Sequence, residues 1–282
     1  MTHPSIDRTP VALRERLSAA RAGGERIALV PTMGALHDGH LSLIRLARTR
    51  ASRVVASLFV NPAQFGPGED LETYPRNETR DLELLAVAGC DNVYAPGVEA
   101  IYPAGFATAV TVSGVSAPME GAVRPHHFAG VATVVAKLLI QCAPDVAVFG
   151  EKDFQQLAVI RRLAADLDLP VEILGAPTVR AEDGLALSSR NAYLTPAQRA
   201  IAPALNRALR EAAAAVAGGA MADVAEAEGR RALETAGFDT VDYFDVRLAG
   251  DLSRPAGPLT ASARVLAAAR LGTTRLIDNV AV

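Results

Sequence analysis

The sequence predicts an α/β protein, a doubly wound Rossmann-like parallel sheet followed by a smaller α+β domain. Three observations carry the prediction. Short runs that are apolar at nearly every position, at 27–30, 54–60 and 145–149, read as strands buried on both faces rather than strands with one wet face. Stretches of helical period alternate with them, as a parallel sheet with right-handed crossovers requires. Near Thr178 the alternation stops, and helices followed by strands fill about a hundred residues, which is the pattern of a separate α+β lobe. The expected domains are 1–177 and 178–282.

The elements follow in chain order. Thr9-Pro10 reads as an N-cap with proline at the first helical position, and Val11, Leu13, Leu17 and Ala20 give that helix an apolar side before Gly23-Gly24 ends it. Ile27-Ala28-Leu29-Val30 is the first buried strand, with Pro31 expected to stop it. Gly34 and Gly39 then supply a tight turn and close backbone approach, and Leu43, Ile44 and Ala47 mark the helix beyond. The run at 54–60 is the second strand, ending in Asn61-Pro62. Residues 63–76 are loop chemistry at a strand's C-terminal end, where open α/β sheets bind ligands, and Gln64 sits on this rim. A helix at 78–88 with Leu82 and Leu85 inward, a short strand at 92–95 and a strand at 108–112 come next. The helix opened by His126-His127 and running to Cys142 has too broad an apolar stripe for a surface position. Residues 145–149 form a strand with Gly150-Glu151-Lys152-Asp153 on its rim, then a helix at 154–167 and a strand at 171–174. The second lobe is read as helices at 196–217 and 221–236 and strands at 241–247, 263–270 and 276–282.

Composition narrows the function. With 28 basic residues against 31 acidic ones the net charge is −3, and the longest basic run is Arg-Arg, so nucleic acid is excluded as a partner and any phosphate site must be built locally from a few residues. No apolar run is long enough to span a membrane, and the start lacks the basic and apolar segments of a secretory signal, so a cytoplasmic protein is expected. The two cysteines, Cys90 and Cys142, have apolar neighbours and read as core residues of a reducing compartment, with a catalytic thiol the minor alternative.

Polar clusters sit where a doubly wound sheet binds ligands. His37 and His40 lie three apart where a helix begins, on one face of its first turn, and a helix N-terminus flanked by imidazoles favours phosphate. A metal site there needs further ligands, and only Asp38 is local. Gly150 to Gln156 and Ser188-Ser189-Arg190 are the other two clusters. Taken singly, the lysine reads equally as a solvated charge and the serines as a cap. Together they offer imidazole, ammonium, hydroxyl and guanidinium donors for a triphosphate. The chain has neither a Gly-x-x-x-x-Gly-Lys-Ser/Thr loop nor a Gly-x-Gly-x-x-Gly loop after the first strand, which argues against a P-loop kinase and a dehydrogenase.

With these residues in place the chain resembles the His-x-Gly-His nucleotidyltransferase superfamily, and within it the pantothenate synthetase (pantoate–β-alanine ligase) family. The resemblance rests on Pro-Thr-Met-Gly-Ala-Leu-His-Asp-Gly-His at 31–40, Phe-Val-Asn-Pro-Ala-Gln-Phe at 59–65, His-Phe-Ala-Gly-Val at 127–131, Phe-Gly-Glu-Lys-Asp-Phe-Gln-Gln at 149–156 and Leu-Ser-Ser-Arg-Asn at 187–191. It continues to Arg-Leu-Gly-Thr-Thr-Arg-Leu-Ile-Asp-Asn near the C-terminus. The family condenses pantoate with β-alanine, using ATP and Mg²⁺, through an enzyme-bound pantoyl adenylate.

Carried over by position, the resemblance implies that Met33, Gly34, Ala35, Leu36, His37, Asp38, Gly39 and His40 hold ATP, with His40 the proton donor and His37 its partner. Gly150, Glu151, Lys152, Asp153, Val179, Leu187, Ser188, Ser189 and Arg190 complete the nucleotide site, and Gln64 and Gln156 bind pantoate and β-alanine. His40, His37, Lys152, Ser188, Ser189 and Arg190 form the catalytic set. The second lobe and residues 63–76 are the candidate lids, and a homodimer through the larger domain is implied. Asp70, Glu72 and Asp81 are acidic candidates for Mg²⁺, and the sequence does not choose among them. Leu187, Phe154 and Ala63 depart from the family's usual Met, Tyr and Met or Thr. The alternatives are another nucleotidyltransferase with the same histidine motif, acting on a different small acid or phosphate ester, and a nucleotide-binding module without turnover.

Overall fold

The computed structural model describes residues 3–282. It divides into two compact units. The first comprises Met1–Ser113, Arg124–Glu151 and Val159–Pro177, and the second Gly114–Val123, Lys152–Ala158 and Thr178–Val282. The strands, in chain order, are β1 (Ser5–Asp7), β2 (Ile27–Thr32), β3 (Arg53–Leu58), β4 (Asn92–Tyr94), β5 (Val146–Gly150), β6 (Glu172–Ala176), β7 (Thr240–Leu248), β8 (Ala263–Leu271) and β9 (Thr274–Ala281). The helices are α1 (Pro10–Ala22), α2 (Asp38–Arg48), α3 (Glu78–Ala88), α4 (Val98–Ile101), α5 (Glu120–Val123), α6 (His127–Cys142), α7 (Phe154–Asp166), α8 (Pro196–Ile201), α9 (Ala204–Ala217) and α10 (Ala222–Ala236).

In the first unit six strands pair in the order β1-β4-β3-β2-β5-β6, every pair parallel. From β2 the chain runs outward through β3 and β4, with β1 added at that edge, and from β5 it runs outward the other way to β6. This makes the β2–β5 pair the switch point of a doubly wound sheet. Alternation explains the continuous apolar runs. Ala28, Val30, Val54, Ala56, Val146 and Val148 point into one core with Leu43, Ile44 and Leu85, while Ile27, Leu29, Val55 and Ala147 point the other way and are equally buried. Thr9 caps α1 by accepting from the Ala12 N–H at 3.2 Å, with Pro10 at N1, a cap worth about 1 kcal/mol.

Several sequence expectations need correction. Pro31 does not stop β2, which continues to Thr32. Pairing of β2 with β5 is confined to Ala28 and Leu29, so the N–H that Pro31 lacks has no ladder partner to lose. On the other side Thr32 Oγ1 donates to the Ser57 carbonyl at 2.7 Å and keeps the β3 pairing intact. The strand expected at 108–112 is irregular, and the Val110 N–H donates to Thr133 Oγ1 on α6 rather than to a neighbouring strand. The helix expected at 196–217 is broken at Ala202-Pro203, because proline has no N–H for the helical ladder. In α3, Leu85 is buried and Leu82 packs half-buried against the same core, as expected, but Asp81, 3% exposed, shares that buried side.

The second unit builds an antiparallel sheet in the order β7-β8-β9. One of its faces packs on α9 and α10 through Leu205, Leu209, Leu233, Phe244, Val246 and Val265. Residues 114–123 are tied to it by charge. Arg275 on β9 pairs with Glu120 and with Asp242, and Tyr243 donates to Glu120 Oε1 at 2.9 Å. Burial lowers the pKa of this guanidinium and the neighbouring carboxylates raise it further, so it stays charged with a pKa above the ordinary arginine value.

Cys90 and Cys142 are buried, and burial pushes both thiols up to about 12. Among the described residues no helix is long and apolar enough to cross a membrane.

α10 approaches β7 closely at Gly229, where a Cβ would lie 2.2 Å from the Phe244 ring. Gly229→Ala is therefore expected to destabilise the protein by about 1–3 kcal/mol through overpacking. Thermal denaturation checks it, and an unchanged Tm contradicts the packing.

Candidate active site

The histidine loop is built from β2 upward. After Thr32 the chain turns through Gly34 and Ala35, two consecutive residues with φ of 79° and 51°. The second is unusual for a residue with a Cβ and costs on the order of 1 kcal/mol. Asp81 stabilises this turn from α3: its two carboxylate oxygens accept from the Ala35 N–H at 2.9 Å and the Leu36 N–H at 2.8 Å. Burial pushes the Asp81 pKa up, and these two backbone donors pull it back in part. The sequence places Asp81 among possible Mg²⁺ ligands; here its carboxylate is engaged with backbone N–H groups.

The turn delivers His37 as the N-cap of α2 and His40 as its third residue. The two imidazoles form a reciprocal cap at the N-terminus of α2: Gly39 N–H donates to His37 Nδ1 at 3.1 Å, and His37 N–H donates to His40 Nδ1 at 3.3 Å. The ring centroids are 4.1 Å apart. Because both Nδ1 atoms accept, each neutral imidazole carries its proton on Nε2. The His37 and Gly39 N–H groups are thus occupied by the histidines themselves, and each ring keeps an Nε2–H to offer an anion.

Gln64 stands in the same unit, in the 3-10 turn Pro62–Gln64 after β3. Its side chain is held at both ends: Asn61 Nδ2 donates to Oε1 at 3.1 Å, and Nε2 donates to Met33 Sδ at 3.2 Å. Its carbonyl accepts from His127 Nδ1 at 3.0 Å and from the Arg124 guanidinium at 3.3 Å. Arg124 also holds Glu69 with two parallel hydrogen bonds, Nε to Oε1 being 2.7 Å. Burial raises the Glu69 carboxyl, but Arg124 outweighs it and holds the pKa below the usual value. The pair is therefore intact above about pH 4.5 and is lost as pH falls through the lowered pKa.

The second unit carries the remaining residues. Gly150 ends β5 and Glu151 follows within the first unit, whereas Lys152, Asp153 and Gln156 belong to the second. Lys152 and Ser188 line one small concavity with Asn191 and Asp278, walled by Leu185, Leu205 and Leu276. Val179 and Leu187 are brought together by a 2.9 Å backbone bond across the 180–186 hairpin. Arg180 closes the hairpin's base by a bidentate pair with Asp278. Ser188 Oγ accepts from the Arg190 N–H at 3.3 Å, so the Ser188-Ser189-Arg190 segment is locally a capped 3-10 turn. Gln155, rather than Gln156, is the buried glutamine, binding the carbonyls of Val115 and Pro118. Phe154 is buried beneath the Arg264 guanidinium, 4.1 Å from its centroid, an environment with no need of a hydroxyl.

Sequence reasoning assigned no role to Asn61, Arg124, His127, Asn191 or Asn279. Asn279 Nδ2 donates to the Lys152 carbonyl at 2.9 Å across 127 residues of chain. Asn191 Oδ1 is buried with no partner among the described residues, while its Nδ2 donates to the Ala186 carbonyl. Asn61, His127, Asn191 and Asn279 all lie inside the quoted motifs, which was the available signal. For Asp81 the signal was an acidic residue four places before Leu85, on the helix face that should be apolar.

Sheet order and switch-point loops define the class, a doubly wound α/β protein of the nucleotide-binding kind. The chain belongs to the pantoate-beta-alanine ligase family, whose model matches residues 5–281. It is 61% identical to a pantothenate synthetase of Caulobacter vibrioides over 284 residues, covering 100% of both chains. The crystal structure of pantothenate synthetase from Thermus thermophilus superposes with a TM-score of 0.92 at 49% identity, over 98% of each chain. That of pantoate-beta-alanine ligase from Francisella tularensis, complexed with beta-gamma ATP and beta-alanine, gives 0.82 at 32% identity, over 98% of this chain and 97% of the other.

Gly130 is the point at which the Gln64 turn rests on α6: a Cβ there would lie 2.2 Å from the Ala63 carbonyl oxygen and 2.7 Å from the Gln64 nitrogen. Backbone cannot rotate out of the way, so Gly130→Ala is expected to displace Gln64 by about an ångström and to cost about 10²-fold in turnover. Steady-state kinetics on the folded variant check this, and wild-type turnover contradicts it.

Proposed function

We propose that this chain adenylates pantoate with ATP, releasing pyrophosphate, and then joins the pantoyl group to β-alanine, releasing AMP. Family membership carries the overall reaction. The reciprocal capping of His37 and His40 at the switch-point helix carries the residue-level reading. In the first step a pantoate carboxylate oxygen attacks the α-phosphorus, and negative charge grows on the non-bridging oxygens and on the leaving pyrophosphate. His37 and His40 donate from Nε2 to that charge. The glycine turn, with Met33, Gly34, Ala35, Leu36, Asp38 and Gly39, sets the approach of the nucleotide.

Lys152, Ser188, Ser189 and Arg190 act on the departing phosphates, with Gly150, Glu151, Asp153, Val179 and Leu187 lining the nucleotide's path. Gln64 and Gln156 orient pantoate. An amide serves this better than a cation, because a positive charge clamped on the attacking carboxylate lowers its nucleophilicity. The doubly tethered Gln64 amide supports that role. In the second step the β-alanine amine attacks the acyl carbon of the adenylate and AMP departs.

Mg²⁺ belongs to the reading as part of the ATP substrate. Among the described residues no three His, Cys, Asp or Glu side chains converge as a metal-binding group. This fits an ion held chiefly by phosphate oxygens and water. Bound there, it neutralises phosphate charge. A homodimer and a cytoplasmic location complete the reading, on family resemblance.

The test is AMP formation from ATP, Mg²⁺ and pantoate, with and without β-alanine. AMP should require both acids, and His40→Ala should lower the rate by about 10²–10³ through loss of one preorganised donor. A His40→Ala enzyme as fast as the wild type contradicts the assignment. Pyrophosphate release without β-alanine-dependent AMP points to a nucleotidyltransferase acting on another substrate.

A further inference from the structure

We propose that Asp81 is a positioning residue for the adenylation step, its carboxylate holding the Gly34-Ala35-Leu36 turn in the one conformation that aims His37 and His40. The inference rests on the functional reading of those two histidines and adds a residue to it.

Three observations converge. Asp81 is 3% exposed, on the apolar side of α3. A carboxylate there is retained against the cost of burial only if its charge is used. Its two oxygens are both used, one on the Ala35 N–H and one on the Leu36 N–H, across 46 and 45 residues of chain. The segment it holds contains two successive left-handed residues, one of them alanine, a conformation that persists only where surrounding structure imposes it.

The fit is close from the other side as well. A Cβ on Gly34 would approach Asp81 Oδ2 at 2.9 Å, so the glycine is needed both for its φ and for the carboxylate's place. Two residues beyond Ala35 the chain becomes the N-cap of α2, with no flexible segment between. A rotation of the turn therefore carries His37 directly, and His40 with it through the reciprocal cap.

The contact also changes what the turn is for. Successive backbone N–H groups in a left-handed turn commonly cradle phosphate. Here those of Ala35 and Leu36 are taken up by an acidic side chain of the protein. The turn is thus a fixed mount rather than an anion cradle, and the anion-directed donors are the imidazoles it carries.

Two variants approach the contact from opposite sides. Asp81→Asn keeps the shape but turns an amide N–H₂ against a backbone N–H. Gly34→Ala keeps the carboxylate and pushes on it. Both are expected to lower kcat for adenylation by about 10²-fold, because donors in the transition state lose their alignment, with much smaller changes in KM for ATP. Independently of activity, amide hydrogen exchange at Ala35 and Leu36 should be slow in the wild type and accelerate in Asp81→Asn. Where one variant does not fold, the other carries the test.

Wild-type kcat in a folded variant overturns the inference, as does a fall in Tm with kcat per folded enzyme unchanged, since that signature belongs to a structural role alone. A wild-type protein that forms no adenylate from ATP and pantoate overturns the functional reading itself. An active wild type with an unimpaired Asp81→Asn overturns this inference only.

Discussion

The parallel pairing of β2 with β5 is the constraint on which the site depends. Two register pairs, Ala28 with Val146 and Leu29 with Ala147, place the histidine loop and the Gly150 turn at the same edge of the sheet, although more than a hundred residues separate them in the chain. Strand residues 27–30 are at most 1% exposed. A register slip of one residue would turn their side chains to the opposite face, so the hydrophobic core of both faces fixes the register and, through it, where the two loops emerge. Burial energy, which is non-directional, is converted here into position.

What the loops then do is decided by hydrogen bonds of a local kind. His37 and His40 satisfy the first N–H groups of α2 with their own Nδ1 atoms. This engages the His37 and Gly39 N–H groups at the start of α2 and leaves the two Nε2 atoms as the imidazoles' remaining donors. Gln64 is likewise given both of its orientations by protein atoms, through Asn61 and Met33. In both places a flexible side chain is held in one orientation by protein atoms, so little entropy remains for it to lose on engaging a ligand.

Much of this was legible in the sequence, for physical reasons that also mark the limit. Runs such as 27–30 and 54–58 announce buried strands because every position is apolar or small, and 78–88 announces a helix through the period of Leu82 and Leu85. β1 was not legible: three residues carry no period, and their pairing with β4 is decided by a partner some ninety residues away. Thr108 to Val112 misled because Thr108, Val110, Thr111 and Val112 are β-branched and favour a strand, whereas its Val110 N–H meets Thr133. Pro31 misled in the other sense, since a proline rule written for paired strands does not apply where pairing on that side has ended.

The site divides along the same line. His37, His40, Lys152 and Ser188-Ser189-Arg190 can be nominated from the sequence because the chemistry they offer is carried by residue type and local spacing. The contacts of Asp81, Arg124 and Asn279 cannot, because each acts on backbone or side chains 45 to 127 residues distant. The central claim is that this chain forms a mixed anhydride of pantoate and AMP as a distinct step, on preset imidazole donors. A single-turnover rapid-quench experiment tests it, with enzyme in excess over ATP, Mg²⁺ and pantoate and with β-alanine withheld. The account predicts release of one pyrophosphate per ATP with the adenylate retained on the enzyme until β-alanine is added. No pyrophosphate before β-alanine arrives would contradict it.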